Sequence, residues 1–175
     1  MKNKKEVFLP FILTFFVIAL DQITKIAIVA YAPSSRLITS FFGDFLQIIL
    51  VYNKGAAFSL GGNLSPILRF AILKLLPLLV ILAFIPVYFK VEFSKFERWA
   101  ICAILGGGIG NLIDRFFRTE GVVDFIDVKF YGLFGLERWP TFNIADASVV
   151  IAFALLILFS FFKKNKEVAS EKKKN

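Results

Sequence analysis

Four stretches of this chain stay apolar long enough for a helix to cross a lipid bilayer, and they limit what it can fold into. A hydrocarbon core of about 30 Å takes about 20 helical residues. Val7 to Tyr31, Pro66 to Phe89, Trp99 to Phe117 and Asn143 to Phe162 all reach that scale. Lipid offers the backbone no hydrogen-bond partner, so such segments have to be helical. The pattern predicts a membrane all-α core of four transmembrane helices, in one domain covering residues 1–175. Composition agrees: 58% of the residues are hydrophobic and 19% charged, outside the range of a soluble domain. Ala30-Tyr31-Ala32 mimics a signal-peptide cleavage site. The preceding apolar run is too long for one and is broken by Asp21, Gln22 and Lys25, so the first span is expected to be retained.

Lys and Arg sort around the four spans. The start (Lys2, Lys4, Lys5), the link between spans two and three (Lys90, Lys95, Arg98) and the tail 163–175 hold 12 of the 21. The loops 32–65 and 118–142 hold Arg36, Lys54, Arg118, Lys129 and Arg138. The positive-inside rule places both termini in the cytoplasm and these two loops outside. The net charge of +8 is then an orientation and headgroup signal toward membrane lipids, and no nucleic-acid partner is expected.

The chain has no histidine, which removes Ser-His-Asp triads, Cys-His dyads and HExxH zinc sites in their usual forms. Its one cysteine, Cys102, lies in an apolar run; it cannot form an intrachain disulfide and reads as a buried thiol. Hydrolytic chemistry would have to use carboxylates, Lys, Ser or Thr. In the first outer loop, Phe45 to Tyr52 is rich in β-branched and aromatic residues, and Asn53-Lys54-Gly55 supplies turn chemistry. A short strand-turn-strand unit on the membrane surface is expected.

Ionisable groups inside a span cost a few kcal/mol on insertion scales, so they face a protein interior or water and have partners. Asp21 and Lys25 stand four residues apart on one helix face. They are either an ion pair that neutralises itself or the support of a polar cavity. The third span closes on Gly110-Asn111-Leu112-Ile113-Asp114-Arg115, where Asn111, Asp114 and Arg115 can share a face. Gly106-x-x-x-Gly110 reads as small-residue helix packing, and Asp114-Arg115 as charges that snorkel to the interface. Neither reading accounts for Asn111. Val122-Val123-Asp124-Phe125 follows this span, and Phe142-Asn143-Ile144-Ala145-Asp146 opens the next. An Asn followed three residues later by an acid is a helix-capping pattern, and Asp124 could be a solvated loop acid. If Asp124 and Asp146 come close, however, they cannot both ionise and would share a proton. One could then activate water while the other protonates a peptide carbonyl. Spacing alone leaves both readings open.

Together these segments carry a resemblance. Asp21-Gln22-x-x-Lys25, Asn53-Lys54-Gly55-Ala56-Ala57-Phe58, Gly110 to Arg115, Val122 to Phe125 and Phe142 to Asp146 occur in this order on a four-span frame. In this the chain resembles the lipoprotein signal peptidases (signal peptidase II), aspartic peptidases of the bacterial inner membrane. The resemblance implies Asp124 and Asp146 as the catalytic pair, with no metal and no cofactor. It implies a diacylglyceryl-modified prolipoprotein as substrate, cut just before the lipidated cysteine near the outer face. Asn111, Arg115 and Asn143 would line the site or hold substrate, with Asp21, Lys25 and Asp114 supporting them. Asn53, Gly55 and Ala56 would belong to a small extracytoplasmic β-sheet, a cradle for the substrate. Globomycin-type cyclic peptides are the expected inhibitors, and a monomer the expected state. From the residues alone, two rivals compete with a peptidase: a small ion- or proton-coupled transporter subunit, which Arg69 and Lys74 in the second span would favour, and a noncatalytic membrane scaffold.

Overall fold

The structure, a computed structural model, describes residues 4–32, 37–55, 61 and 64–172, with 164–172 as backbone only. Among the described residues, four helical stretches are long and apolar enough to cross a membrane: Lys4–Tyr31, Pro66–Lys90, Lys95–Phe117 and Ile144–Lys163. The first combines α1 (Lys4–Phe8) and α2 (Phe11–Tyr31). The second runs from α3 (Pro66–Phe70) through a π-helical turn, Ala71–Leu75, into α4 (Leu76–Lys90). The third is α5 (Lys95–Phe117), and the fourth opens α6 (Ile144–Lys172). α5 begins at a reciprocal cap: Ser94 Oγ accepts from the Glu97 amide, and the Glu97 carboxylate accepts from the Ser94 amide at 2.6 Å. That cap starts the helix a turn before the expected Trp99.

α5 is the central helix, packed against α2 and α6. Its glycines make this possible. A Cβ on Gly106 would lie 2.9 Å from Val17 Cβ, and one on Gly107 would strike the carbonyl oxygen of Ala145. Backbones therefore meet almost directly, the close approach that small residues allow within membranes. Thr14 Oγ1 adds a 2.8 Å hydrogen bond to the Cys102 carbonyl across α2 and α5. The outward faces are apolar: Phe15, Phe16, Leu79, Val80, Ile151 and Phe153 are exposed. At the end away from the sheet, Arg98 is buried, although its place in the sequence suggests an exposed loop cation. It donates to the Tyr88 carbonyl at 3.3 Å and stacks 5.1 Å from the Tyr88 ring centroid. Tyr88 in turn donates to the Val7 carbonyl at 2.7 Å.

The other end carries a three-stranded antiparallel sheet in the order β1-β2-β3, with β1 at Leu37–Phe41, β2 at Leu46–Asn53 and β3 at Val122–Val128. The expected strand forms, but the hairpin turn does not fall at Asn53-Lys54-Gly55. It lies before the strand, at 42–45, where Phe42 and Gly43 both take positive φ. That backbone twist matches a tight antiparallel connection. At Asn53 the side chain instead forms a local turn, its Oδ1 accepting from the Gly55 amide at 2.9 Å. β2 pairs on its other side with β3, Asn53 opposite Val122 and Val51 opposite Asp124. The free edge of β3 receives the chain returning to α6: Phe125 and Ile126 amides donate to the Phe142 carbonyl at 3.0 and 2.8 Å.

Candidate active site

Two carboxylates distant in sequence meet where β3 passes the start of α6. β3 holds Asp124 because it is pinned on both edges, by β2 and by Phe142. The same contact delivers the next residue, Asn143, as the cap of α6. Asn143 Oδ1 accepts from the Asp146 amide at 2.9 Å, and Asp146 Oδ2 accepts from the Asn143 amide at 3.2 Å. The capping reading of Asn143 and Asp146 is therefore correct as geometry. It also aims the Asn143 amide group across the gap. Asn143 Nδ2 lies 2.7 Å from Asp124 Oδ1, with Asn111 Oδ1 at 3.0 Å and the Val123 carbonyl at 3.3 Å sharing its hydrogens.

Two more amides complete the cradle. Asn53 Nδ2 donates to Asp124 Oδ2 at 3.0 Å, and Asn111 Nδ2 donates to Asp146 Oδ1 at 2.7 Å. An Asn amide can be turned either way, but Asn111 has no choice here. Its oxygen faces the Lys25 ammonium at 3.0 Å and the Asn143 amide, so its nitrogen must face Asp146. Lys25 is fully buried and also bonds Asp21 Oδ2 at 2.8 Å and Asp114 Oδ2 at 2.9 Å. Asp21 and Lys25 thus form the expected ion pair and also support the site. Asp21 Oδ1 accepts from the Ala145 amide at 3.0 Å, and Asp114 Oδ2 from the Val123 amide at 3.1 Å. The buried charges thereby hold the residues immediately before both Asp146 and Asp124. Gly110 leaves room for this: a Cβ there would lie 2.7 Å from Asp21 Oδ2.

Arg115 donates to the Gly55 carbonyl at 3.4 Å, while its buried Nε has no acceptor among the described residues. Ala56 lies outside the described residues. Two contributors were not among the expected site residues, although one of them, Gln22, stands in the Asp21-Gln22-x-x-Lys25 motif. Gln22 Nε2 bridges Asp21, the Gly110 carbonyl and Asp114, and Arg118 Nε pairs with Asp114 Oδ1 at 3.0 Å. Their signals were local: Gln22 adjoins Asp21, and Arg118 stands four residues after Asp114.

Asp124 is 2% exposed. Burial first, and the nearby Asp146 charge second, push its carboxyl up to about 7. Asp146 is less enclosed. The site thus offers one carboxyl that keeps a proton near neutrality beside a second, more open one, with a guanidinium next to both. No cluster of metal-ligating side chains occurs among the described residues.

Residues 13–162 match the family described as Signal peptidase (SPase) II. The lipoprotein signal peptidase of Treponema pallidum (strain Nichols) is 47% identical over 169 residues, covering 96% of this chain and 90% of that one. The lipoprotein signal peptidase of Treponema denticola is 54% identical over 151 residues, or 86% and 87% of the two chains. The chain belongs to the signal peptidase II family. It is therefore a peptidase and a multi-pass membrane protein. A bacterial membrane enzyme solved by the in meso method at 2.3 Å has a similar fold, with a TM-score of 0.67 at 32% identity over 90% of each chain.

Proposed function

We propose that this signal peptidase II removes signal peptides from diacylglyceryl-modified prolipoproteins, cutting just before the lipidated cysteine, with Asp124 and Asp146 as the catalytic pair. The observation that carries this reading is the single Asn143 side chain that reaches both carboxylate-bearing segments, bonding Asp124 Oδ1 and the Asp146 amide. Asp124, whose burial favours the protonated form, acts as the acid toward the scissile carbonyl oxygen. Asp146, the more open carboxylate, takes a proton from the attacking water. Water oxygen bonds to the carbonyl carbon as Asp124 protonates the carbonyl oxygen. The C–N bond of the tetrahedral intermediate then breaks as the proton held on Asp146 passes to the leaving amine and a hydroxyl proton returns to Asp124. Arg115 fits the role of steadying the developing oxyanion, because it stands by both acids with an unengaged Nε–H.

The charge asymmetry of the sequence supports both termini in the cytoplasm, with sheet and site at the outer face of the bacterial inner membrane. A substrate anchored by two acyl chains stays in that leaflet, so its scissile bond arrives at the depth of the site. The sheet then serves as the substrate cradle. The chain works as a monomer, and globomycin-type cyclic peptides compete with the substrate. The deciding experiment gives purified protein in detergent a diacylglyceryl-modified prolipoprotein and follows signal-peptide release. Wild type cleaves it and not the unlipidated precursor; folded Asp124→Asn and Asp146→Asn proteins do not. Full activity in either variant removes that residue from the reaction.

A further inference from the structure

The cleavage proposed above uses neither of two second-span cations, Arg69 and Lys74. In an α-helix a five-residue step turns by about 500°, leaving such a pair on different faces. The π turn at Ala71–Leu75 changes this. The Leu76 amide bonds the Ala71 carbonyl five residues back, and the wider turn brings positions five apart onto one side. Arg69 and Lys74 both line a cavity of about 340 Å³ at the sheet end of the bundle, with Lys54, Arg115 and Arg118.

Five cations converge there, and no carboxylate appears among the described lining residues. Arg118 is matched by Asp114 behind it, and Arg115 faces the catalytic acids. Lys74 has the Phe116 ring 5.6 Å away but no carboxylate partner among the described residues. Concentrating positive charge at a span end is costly unless an anion joins it. The rest of the lining mixes apolar Pro66, Phe70 and Leu73 with polar Asn53, which also bonds Asp124, and Thr119, and the neighbouring Ile67, Leu68 and Phe117 are exposed. A cationic floor beside apolar lining and exposed apolar side chains matches an amphiphile with an anionic head. Arg and Lys side chains together suit phosphate oxygens.

We infer that this pocket binds the phosphate headgroup of an anionic phospholipid from the leaflet at the sheet end of the bundle, its acyl chains running along α3 and the π turn. The inference does not depend on which residues perform the cleavage. Delipidated protein in a non-ionic detergent is titrated with dioctanoyl phosphatidylglycerol, dioctanoylglycerol and inorganic phosphate, with affinity read from the rise in thermal midpoint. Phosphatidylglycerol should bind at least about tenfold more tightly than either alternative. In Arg69→Gln/Lys74→Gln it should fall to the dioctanoylglycerol level. Equal affinity for dioctanoylglycerol would make the pocket an apolar groove, and equal affinity for inorganic phosphate would make it a free-anion site; either overturns the inference. So does an undiminished preference in the double variant. Should that variant not fold, Lys54→Gln should by itself weaken phosphatidylglycerol about fivefold, and no weakening would equally overturn the inference.

Discussion

Replacing Lys25 by Met separates stability from positioning at this site. The ammonium is fully buried between Asp21, Asp114 and Asn111, all within 3.0 Å. Methionine fills much of the same volume but leaves two buried carboxylates with Arg118 as their one remaining cation among the described partners. Breaking a buried ion pair from one side costs about 3–5 kcal/mol. For a chain of this size that lowers Tm by roughly 10 °C. The same change releases the Asn111 oxygen, so its amide can rotate and lose the 2.7 Å bond to Asp146. A hydrogen bond to a charged group is worth about 1.5–3 kcal/mol, so kcat should fall by roughly 10- to 100-fold. Thermal unfolding followed through Trp99 and Trp139, and cleavage of lipidated substrate, measure the two effects. The double variant Lys25→Met/Asp21→Asn restores local neutrality and should regain most of the lost Tm. It should not regain kcat, because nothing then orients Asn111. A Lys25→Met protein with unchanged Tm and kcat refutes the reasoning. If the second substitution gives no recovery, stranded charge was not the cause of instability.

Other outcomes follow from the same geometry. Because the Asp124 carboxyl is raised to about 7, its proton is present below that pH and lost above it. Cleavage that needs this proton should decline as pH rises through 7, and a flat profile to pH 9 would remove Asp124 as the acid. For stability the sign is the same: the contribution is fully present at low pH and is lost as pH rises through 7. Wild-type Tm should therefore fall as pH rises from about 4 to about 7 and level off above that, while Asp124→Asn should be flatter over that interval. Gly107→Ala forces a methyl group against the Ala145 carbonyl and should lower both Tm and activity. Gly108→Ala meets only Ile81 Cδ1 at 3.4 Å and should be tolerated, with thermal melts of the two distinguishing backbone contact from helix propensity. Asn53→Ala removes one of the two amides on Asp124, and its cleavage rate should drop about tenfold with little change in Tm.

Much of this protein was legible in short-range pattern. Span lengths, the division of Lys and Arg, the lack of histidine and the Asn143–Asp146 cap each depend on composition or on neighbours within one helical turn. Asp21, Lys25, Asn111 and Asp114 stood out because charge and amide are costly in lipid, which marks such residues wherever the chain leads. Spacing could not say that Asp124 meets Asn143. That meeting depends on β3 pairing with β2 on one edge and with Phe142 on the other, contacts across long loops whose register no local pattern encodes. Arg98 looked like a loop cation and became a buried one because Tyr88 in α4 and Val91 just past its end supplied carbonyls. Lys74 entered a pocket only because a π turn rotated it there. The sequence by itself determined which groups had to be sheltered from lipid. Tertiary structure decided which of them stand together around Asn143 and Asn111, because that depends on distances of a few ångström between elements far apart along the chain.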